Sequence, residues 1–286
     1  MGTRISRAKQ RLARAGARFT PPTAADRHSR TTAVMRVLYL IFNEGYTAST
    51  GDELARIDLT GEAIRLTRML RDAVPDGAEA TGLLALMLLT ESRRAARTGD
   101  DGGLVPLDEQ DRTRWNRDLI REGTQLIDGV WNRRETGPYQ LQAAIASLHA
   151  AATTPEQTDW PQIAMLYLWL ERLTPTAPVR LSRVVAVAQA YGPARGLALL
   201  DDLNRRHGLD QDPLTRQRER ATRAHLVQMT GDAAGATTLY REAAVLTDNQ
   251  VERRCAARHP PHRRSSGAGL LPRLSSPPRS GKSASR

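Results

Sequence analysis

Apolar positions recur at three- and four-residue spacing along most of this chain, interrupted by short polar, Gly or Pro segments. That period predicts helices, and strict alternation of the strand kind is hard to find. In residues 4–19, Arg4, Arg7, Arg11, Arg14 and Arg18 share one stripe, with Ile5, Ala8, Leu12, Ala15 and Phe19 on the adjacent one. Gly16 and Pro21-Pro22 close this helix. On periodicity alone it is a solvated amphipathic helix. Residues 21–32 read as a linker containing Asp26. Val34, Val37, Leu38, Leu40, Ile41 and Phe42 then point in several directions, predicting a helix over 30–46 that is buried on most sides and capped by Gly45.

Further helices are predicted over about 54–73, 79–97, 112–133 and 139–152, with Pro75-Asp76-Gly77, the polar stretch 100–111 and Gly137-Pro138 between them. Thr153-Thr154-Pro155 breaks the pattern. Beyond it, antiparallel helices are expected over 160–173, 178–191, 193–206, 214–230 and 233–247. Gly231, Ala236, Tyr240 and Ala243 have the small and aromatic spacing of a tetratricopeptide helix pair. Gly192, Gly196, Leu200 and Leu203 repeat it with one residue fewer in the turn. The turn glycines, at 192 and 231, lie 39 residues apart, against a usual period of about 34. Ordinary helical hairpins would show a similar pattern, so both readings stand. The fold class expected is all-α: antiparallel hairpins stacked as a tetratricopeptide-like array, ending in a disordered basic tail over 251–286.

Composition agrees with helix, since only 4% of residues are aromatic while Ala, Leu and Arg dominate. The net charge of +11 matters only once it is located. Residues 1–36 and 251–286 each carry nine Lys/Arg against a single acid. The middle is left with 24 basic and 29 acidic residues, a mildly acidic body. Any polyanion contact therefore belongs to the termini. A lone cysteine, Cys255, excludes an intrachain disulfide and a thiolate cluster. The N-terminus has no apolar signal core. The apolar run Val37–Phe42 is far short of the roughly 20 residues that span a bilayer. A soluble, cytoplasmic protein without membrane contact is expected.

Catalytic spacing is missing. There is no phosphate-binding Gly loop, no paired metal-ligand histidines and no nucleophile elbow. The acidic group Asp108, Glu109 and Asp111 reads as a solvated loop or helix N-terminus before it reads as a cation site. His149 sits on an Ala-rich helix and suits a packed or surface histidine better than a base. Glu44 fits a structural ion pair or cap as well as it fits a functional acid. No enzyme, metal or cofactor is expected.

Several stretches carry a family resemblance. TRISRAKQR at 3–11 resembles the closing segment of region four of an extracytoplasmic-function RNA polymerase sigma factor. The chain beyond this segment is similar to the C-terminal tetratricopeptide-like extension of one group of these factors. The matching stretches are VLYLIFNEGYTAS at 37–49, GLLALMLLTESRRAAR at 82–97, LDEQDRTRW at 107–115, GPYQLQAAIASLHA at 137–150, TDW at 158–160 and LSRVVAVAQAYGPARGLALLDDL at 181–203. The resemblance implies residues 1–20 as the remnant of a DNA-recognition helix and 33–152 as the first part of the extension. It also implies 153–250 as the tetratricopeptide-like hairpins. Arg4, Arg7, Lys9, Arg11 and Arg14 are its DNA-facing or phosphate-facing candidates.

An intact member has RNA polymerase core and promoter DNA as partners and needs no cofactor. This chain, without a stretch resembling region two, reads as a truncated member retaining mainly the regulatory extension. The resemblance stops near Val251, and the Arg/Pro/Ser tail has the look of GC-rich coding sequence read out of frame. The alternative is an interaction scaffold that takes a protein or peptide in a groove along residues 160–247, with no DNA-binding role.

Overall fold

A computed structural model of the protein describes residues 6, 7, 10, 11, 14, 16, 23–46, 57–99, 104–131 and 136–246. Among these are eleven α-helices and no strand beyond a single bridge between Thr98 and Leu104. The fold is all-α, as the periodicity predicts. The expected disorder of 251–286 falls outside the described residues. Two compact units divide the chain, Met1–Val37 and Leu38–Arg286.

Helix α1, Ala24–Tyr46, begins inside the segment expected to be a linker. The cause is local. The Thr23 hydroxyl donates to the Asp26 carboxylate at 2.7 Å, and its oxygen accepts from the Asp26 N–H at 3.3 Å. That cap lets the helix start before its apolar positions do. The burial of α1 also differs from expectation. Met35, Leu38, Tyr39 and Phe42 are buried, whereas Val34, Val37 and Leu40 are exposed. Gly45 continues the helix rather than capping it in a left-handed conformation.

In the second unit α2 (Ile57–Ala73), α3 (Ala78–Glu91), α5 (Arg117–Trp131) and α6 (Pro138–Ala151) pack together, with α3 touching the other three. Every residue of α3 from Ala80 to Leu89 is buried. A helix that is apolar all round has no solvent face to offer, so it takes the centre. The expected helix 79–97 breaks at Ser92-Arg93, where the Ser92 hydroxyl donates to the Leu89 carbonyl at 2.7 Å. The short helix α4, Arg94–Arg97, comes directly after the break. A 3-10 turn at Arg112–Arg114 precedes α5, which starts where the Asn116 side chain accepts from the Asp118 and Leu119 N–H groups.

The remaining helices are α7 (Trp160–Leu173), α8 (Ala177–Tyr191), α9 (Pro193–His207), α10 (Arg216–Met229) and α11 (Ala233–Val245). Each packs on the next, and α8 also reaches α10. The core is continuous across residues 152 and 153, because Leu141 and Ile145 of α6 share a cluster with Ile163, Leu166 and Leu170 of α7. Gly192 and Gly231 have φ of 95° and 91°, which L side chains rarely adopt. They reverse the chain between α8 and α9 and between α10 and α11. At Gly196 a Cβ would lie 2.6 Å from both the Ala188 Cβ and the Leu226 Cδ2, so the small residue marks where three helices meet. Ala236 and Tyr240 are buried against Ala224 in the corresponding place of the next pair. This is the small/aromatic logic of tetratricopeptide-like packing.

Candidate functional site

The N-terminal basic residues form the first candidate. Arg7, Arg11 and Arg14 lie in helical backbone and are exposed. Their spacing puts them on one side of a helix, where guanidinium groups can reach successive phosphates. Arg4 and Lys9 lie outside the described residues. The apolar stripe from Ile5 to Phe19 does as well.

In the second unit the acidic loop is structural. The Asp111 carboxylate accepts from the Thr113 N–H at 2.9 Å and from its hydroxyl at 2.6 Å, capping the 3-10 turn. The Thr113 hydroxyl and N–H together hold the Asp111 carboxyl below its ordinary range. Among the described residues, no three His, Cys, Asp or Glu side chains are placed to hold a metal ion. His149 is a packed residue, 3% exposed, with its ring edge-on to Trp160 at 5.2 Å. Burial, then the charges of Arg93 and Arg112, lower its pKa to about 3. It is therefore a neutral imidazole at physiological pH.

Two features were not anticipated from the sequence. The first is a set of arginines turned inward around α4. Arg97 lies 4.0 Å over the Tyr46 ring and donates to the Tyr46 carbonyl. Arg94 bridges Glu91 and the Thr60 hydroxyl. Arg112, 7% exposed, donates to the His149 and Ala152 carbonyls at 2.8 and 2.6 Å, satisfying the C-terminus of α6, and stacks over Trp115. Arg93 is 6% exposed. The available signal was SRRAAR directly after an apolar helix, since three arginines on so tight a corner cannot all face water. The second feature is an apolar stripe left exposed on α7, formed by Met165, Trp169 and Leu173 at i, i+4 and i+8. Its signal was a helix apolar on all sides, MLYLWL, in the middle of the chain.

Comparison with known proteins adds relatives without an assigned activity. Residues 30–130 match the model of a family of unknown function, DUF6596. An uncharacterized protein of Rhizobium meliloti (strain 1021) is 44% identical over 259 residues, covering 88% of this chain and 58% of that protein. The chain thus spans well under two thirds of its relative's length. No solved structure matches. No described helix is long and apolar enough to cross a membrane.

Proposed function

We propose that this chain carries the regulatory helical extension of an extracytoplasmic-function sigma factor, joined to the end of its region-four recognition helix. The observation that carries the reading is the placement of the resembling stretches, in order, on packed elements. VLYLIFNEGY, the described part of the first stretch, covers the end of α1 that buries Leu38, Tyr39 and Phe42, and GLLALMLLTESRRAAR covers most of α3 and all of α4. In TDW, Asp159 accepts from the Gln162 N–H at 3.0 Å and caps α7. The exposed side shared by Arg7, Arg11 and Arg14 supports phosphate contact. RNA polymerase core and promoter DNA are the partners of the intact protein. In this reading the extension regulates their engagement and takes no part in covalent chemistry.

This chain alone is expected to bind duplex DNA weakly and with little sequence preference. Phosphate contacts position a protein without reading bases. Fluorescence anisotropy on a promoter-length duplex and an unrelated one, between about 50 and 300 mM salt, measures it. With Arg4, Arg7, Lys9, Arg11 and Arg14 all engaged, the log–log salt slope should be about −4 to −5, falling by about 3 when Arg7, Arg11 and Arg14 are replaced by alanine. Core polymerase supplied with this chain should not initiate transcription. Specific initiation, or a salt slope unchanged by the triple replacement, would overturn the proposal.

The exposed Met165, Trp169 and Leu173 favour a second reading, a scaffold that takes a protein or peptide partner along 160–247. Deleting residues 1–20 separates the two. A scaffold loses its nucleic-acid affinity and keeps its protein partner.

A further inference from the structure

The solvent side of α7 consists of Pro161, Gln162, Met165, Trp169, Arg172 and Leu173, the residues of that helix that stand exposed. Met165, Trp169 and Leu173 are 45%, 40% and 51% exposed, an unusual amount of apolar side chain to leave in water along one stripe. Arg172 is the one charge among the six. The other charged residue of α7, Glu171, is turned aside and held by Arg180 and Arg183 of α8 at 3.3 and 2.5 Å. The neighbouring α6 contains no Asp, Glu, Lys or Arg. A solvated helix of the same unit is built differently, since α9 exposes Arg195, Arg205, Arg206 and His207. Depletion of charge together with Met and Trp is the composition of the centre of a protein interface. Among the described residues, α7 packs its remaining sides on α6 and α8, which leave the stripe uncovered.

The order of the stripe selects its partner. Met165, Trp169 and Leu173 stand four residues apart, about 12 Å from first to last, and form a ridge of the kind that packs into the grooves of another helix. The ridge is centred on its aromatic and flanked by two apolar side chains of similar size, so it reads the same in either direction. An identical helix laid antiparallel across a two-fold axis therefore meets it in register, Trp169 against the partner's Trp169 and Met165 against the partner's Leu173. Charge agrees with this arrangement. Arg172 stands beside the ridge, three residues from its centre, so the two-fold sets the two Arg172 positions about 9 Å apart along the helices rather than opposite each other. A strongly acidic or basic partner would find a single charge to pair with. A second copy brings none that must be buried against the apolar ridge.

We propose that α7 is a self-association surface, on which a second copy of this chain packs its own α7 antiparallel about Trp169. A ridge of three side chains falls short of the about 800 Å² per partner of a standard stable interface, so the dimer is reversible and forms at high protein concentration. This inference names the partner in the scaffold reading and rests on it for α7 being an interface. It uses nothing of the sigma-factor reading.

Sedimentation equilibrium of the full chain between about 5 and 500 µM tests it, in about 300 mM salt to screen the basic ends. The average mass should rise with concentration toward twice the 31.5 kDa of one chain. Trp169→Ala should weaken the association about thirtyfold or more, as loss of a central aromatic anchor does. Met165→Lys and Leu173→Glu, both at exposed positions, should each leave the chain monomeric when studied alone. Mixed in equal amounts the two variants should associate again. The antiparallel register sets the new ammonium of one copy against the new carboxylate of the other, while the unchanged Leu173 and Met165 still meet. A wild-type chain that stays monomeric at about 500 µM, an association unchanged by Trp169→Ala, or a mixture no heavier than its separate variants would overturn the proposal. A variant lacking residues 1–20 should self-associate like the wild type. If it does not, the scaffold reading fails together with the inference; if the wild-type chain is monomeric, only the second copy as occupant of α7 fails.

Discussion

Replacing Gly82 by alanine is expected to destabilise the protein, although alanine is the better helix former by about 1 kcal/mol. A Cβ on residue 82 would stand 2.8 Å from the Gln140 backbone nitrogen and 2.9 Å from its Cα. Those atoms cannot yield cheaply. The Gln140 N–H donates to Glu79 at 3.0 Å, the neighbouring Tyr139 N–H donates to the same carboxylate at 3.1 Å, and the Gln140 side chain accepts from the Gly137 N–H. The clash therefore falls on the start of α6 and on the most buried helix of the unit. Overpacking of this kind costs about 1–3 kcal/mol, more where backbone must move, so we expect a net loss of about 3 kcal/mol and a Tm lower by about 6–12 °C. Gly129→Ala is the control. It lies in α5 with nothing within 4 Å of its added Cβ and should stabilise by about 0.5–1 kcal/mol. Urea denaturation of the two variants beside the wild type gives both numbers. Equal stability of Gly82→Ala and wild type would mean that α3 and α6 pack further apart than described.

That contact also shows what the sequence makes legible. The apolar run from Leu83 to Leu89 announces a central helix because an all-round apolar surface has only one favourable location. Gly192 and Gly231 announce chain reversals because the backbone they adopt suits few other residues. These are local demands, readable in a short window. The approach of Gln140 to Gly82 joins residues 58 positions apart, and nothing near Gly82 advertises it. The same limit explains why α1 is buried on only one side, since which apolar residues are covered depends on what arrives from elsewhere. The early start of α1 is of the local kind, because Thr23 three residues before Asp26 is a capping signal that outweighs the absence of apolar positions.

The candidate sites divide along that line. A stripe of arginines at helical spacing is a one-dimensional signal, and Arg7, Arg11 and Arg14 are exposed and helical as it requires. Arg112 looks like an ordinary surface cation in sequence, because long arginine stems lie along apolar surface as readily as they extend into water, whereas Arg93 carries the signal of the crowded SRRAAR corner. The burial of Arg112 is decided by α6, whose C-terminal carbonyls need donors that its own residues do not supply.

The same corner makes stability depend on pH through His149. Its folded pKa, about 3, lies below the unfolded value near 6.5. Above pH 6.5 the imidazole is neutral in both states and costs nothing. Below it the unfolded chain takes up a proton that the folded chain refuses, so stability falls as pH drops through the window from 6.5 to about 3. The slope is about 1.4 kcal/mol per pH unit, amounting to about 4–5 kcal/mol across the window. His149→Phe retains a ring to meet Trp160 edge-on and removes the titration. Urea denaturation at about pH 6.5 and pH 5.0 should show the wild type losing about 2 kcal/mol more than the variant. Curves that stay parallel would mean that the imidazole is not buried against Trp160.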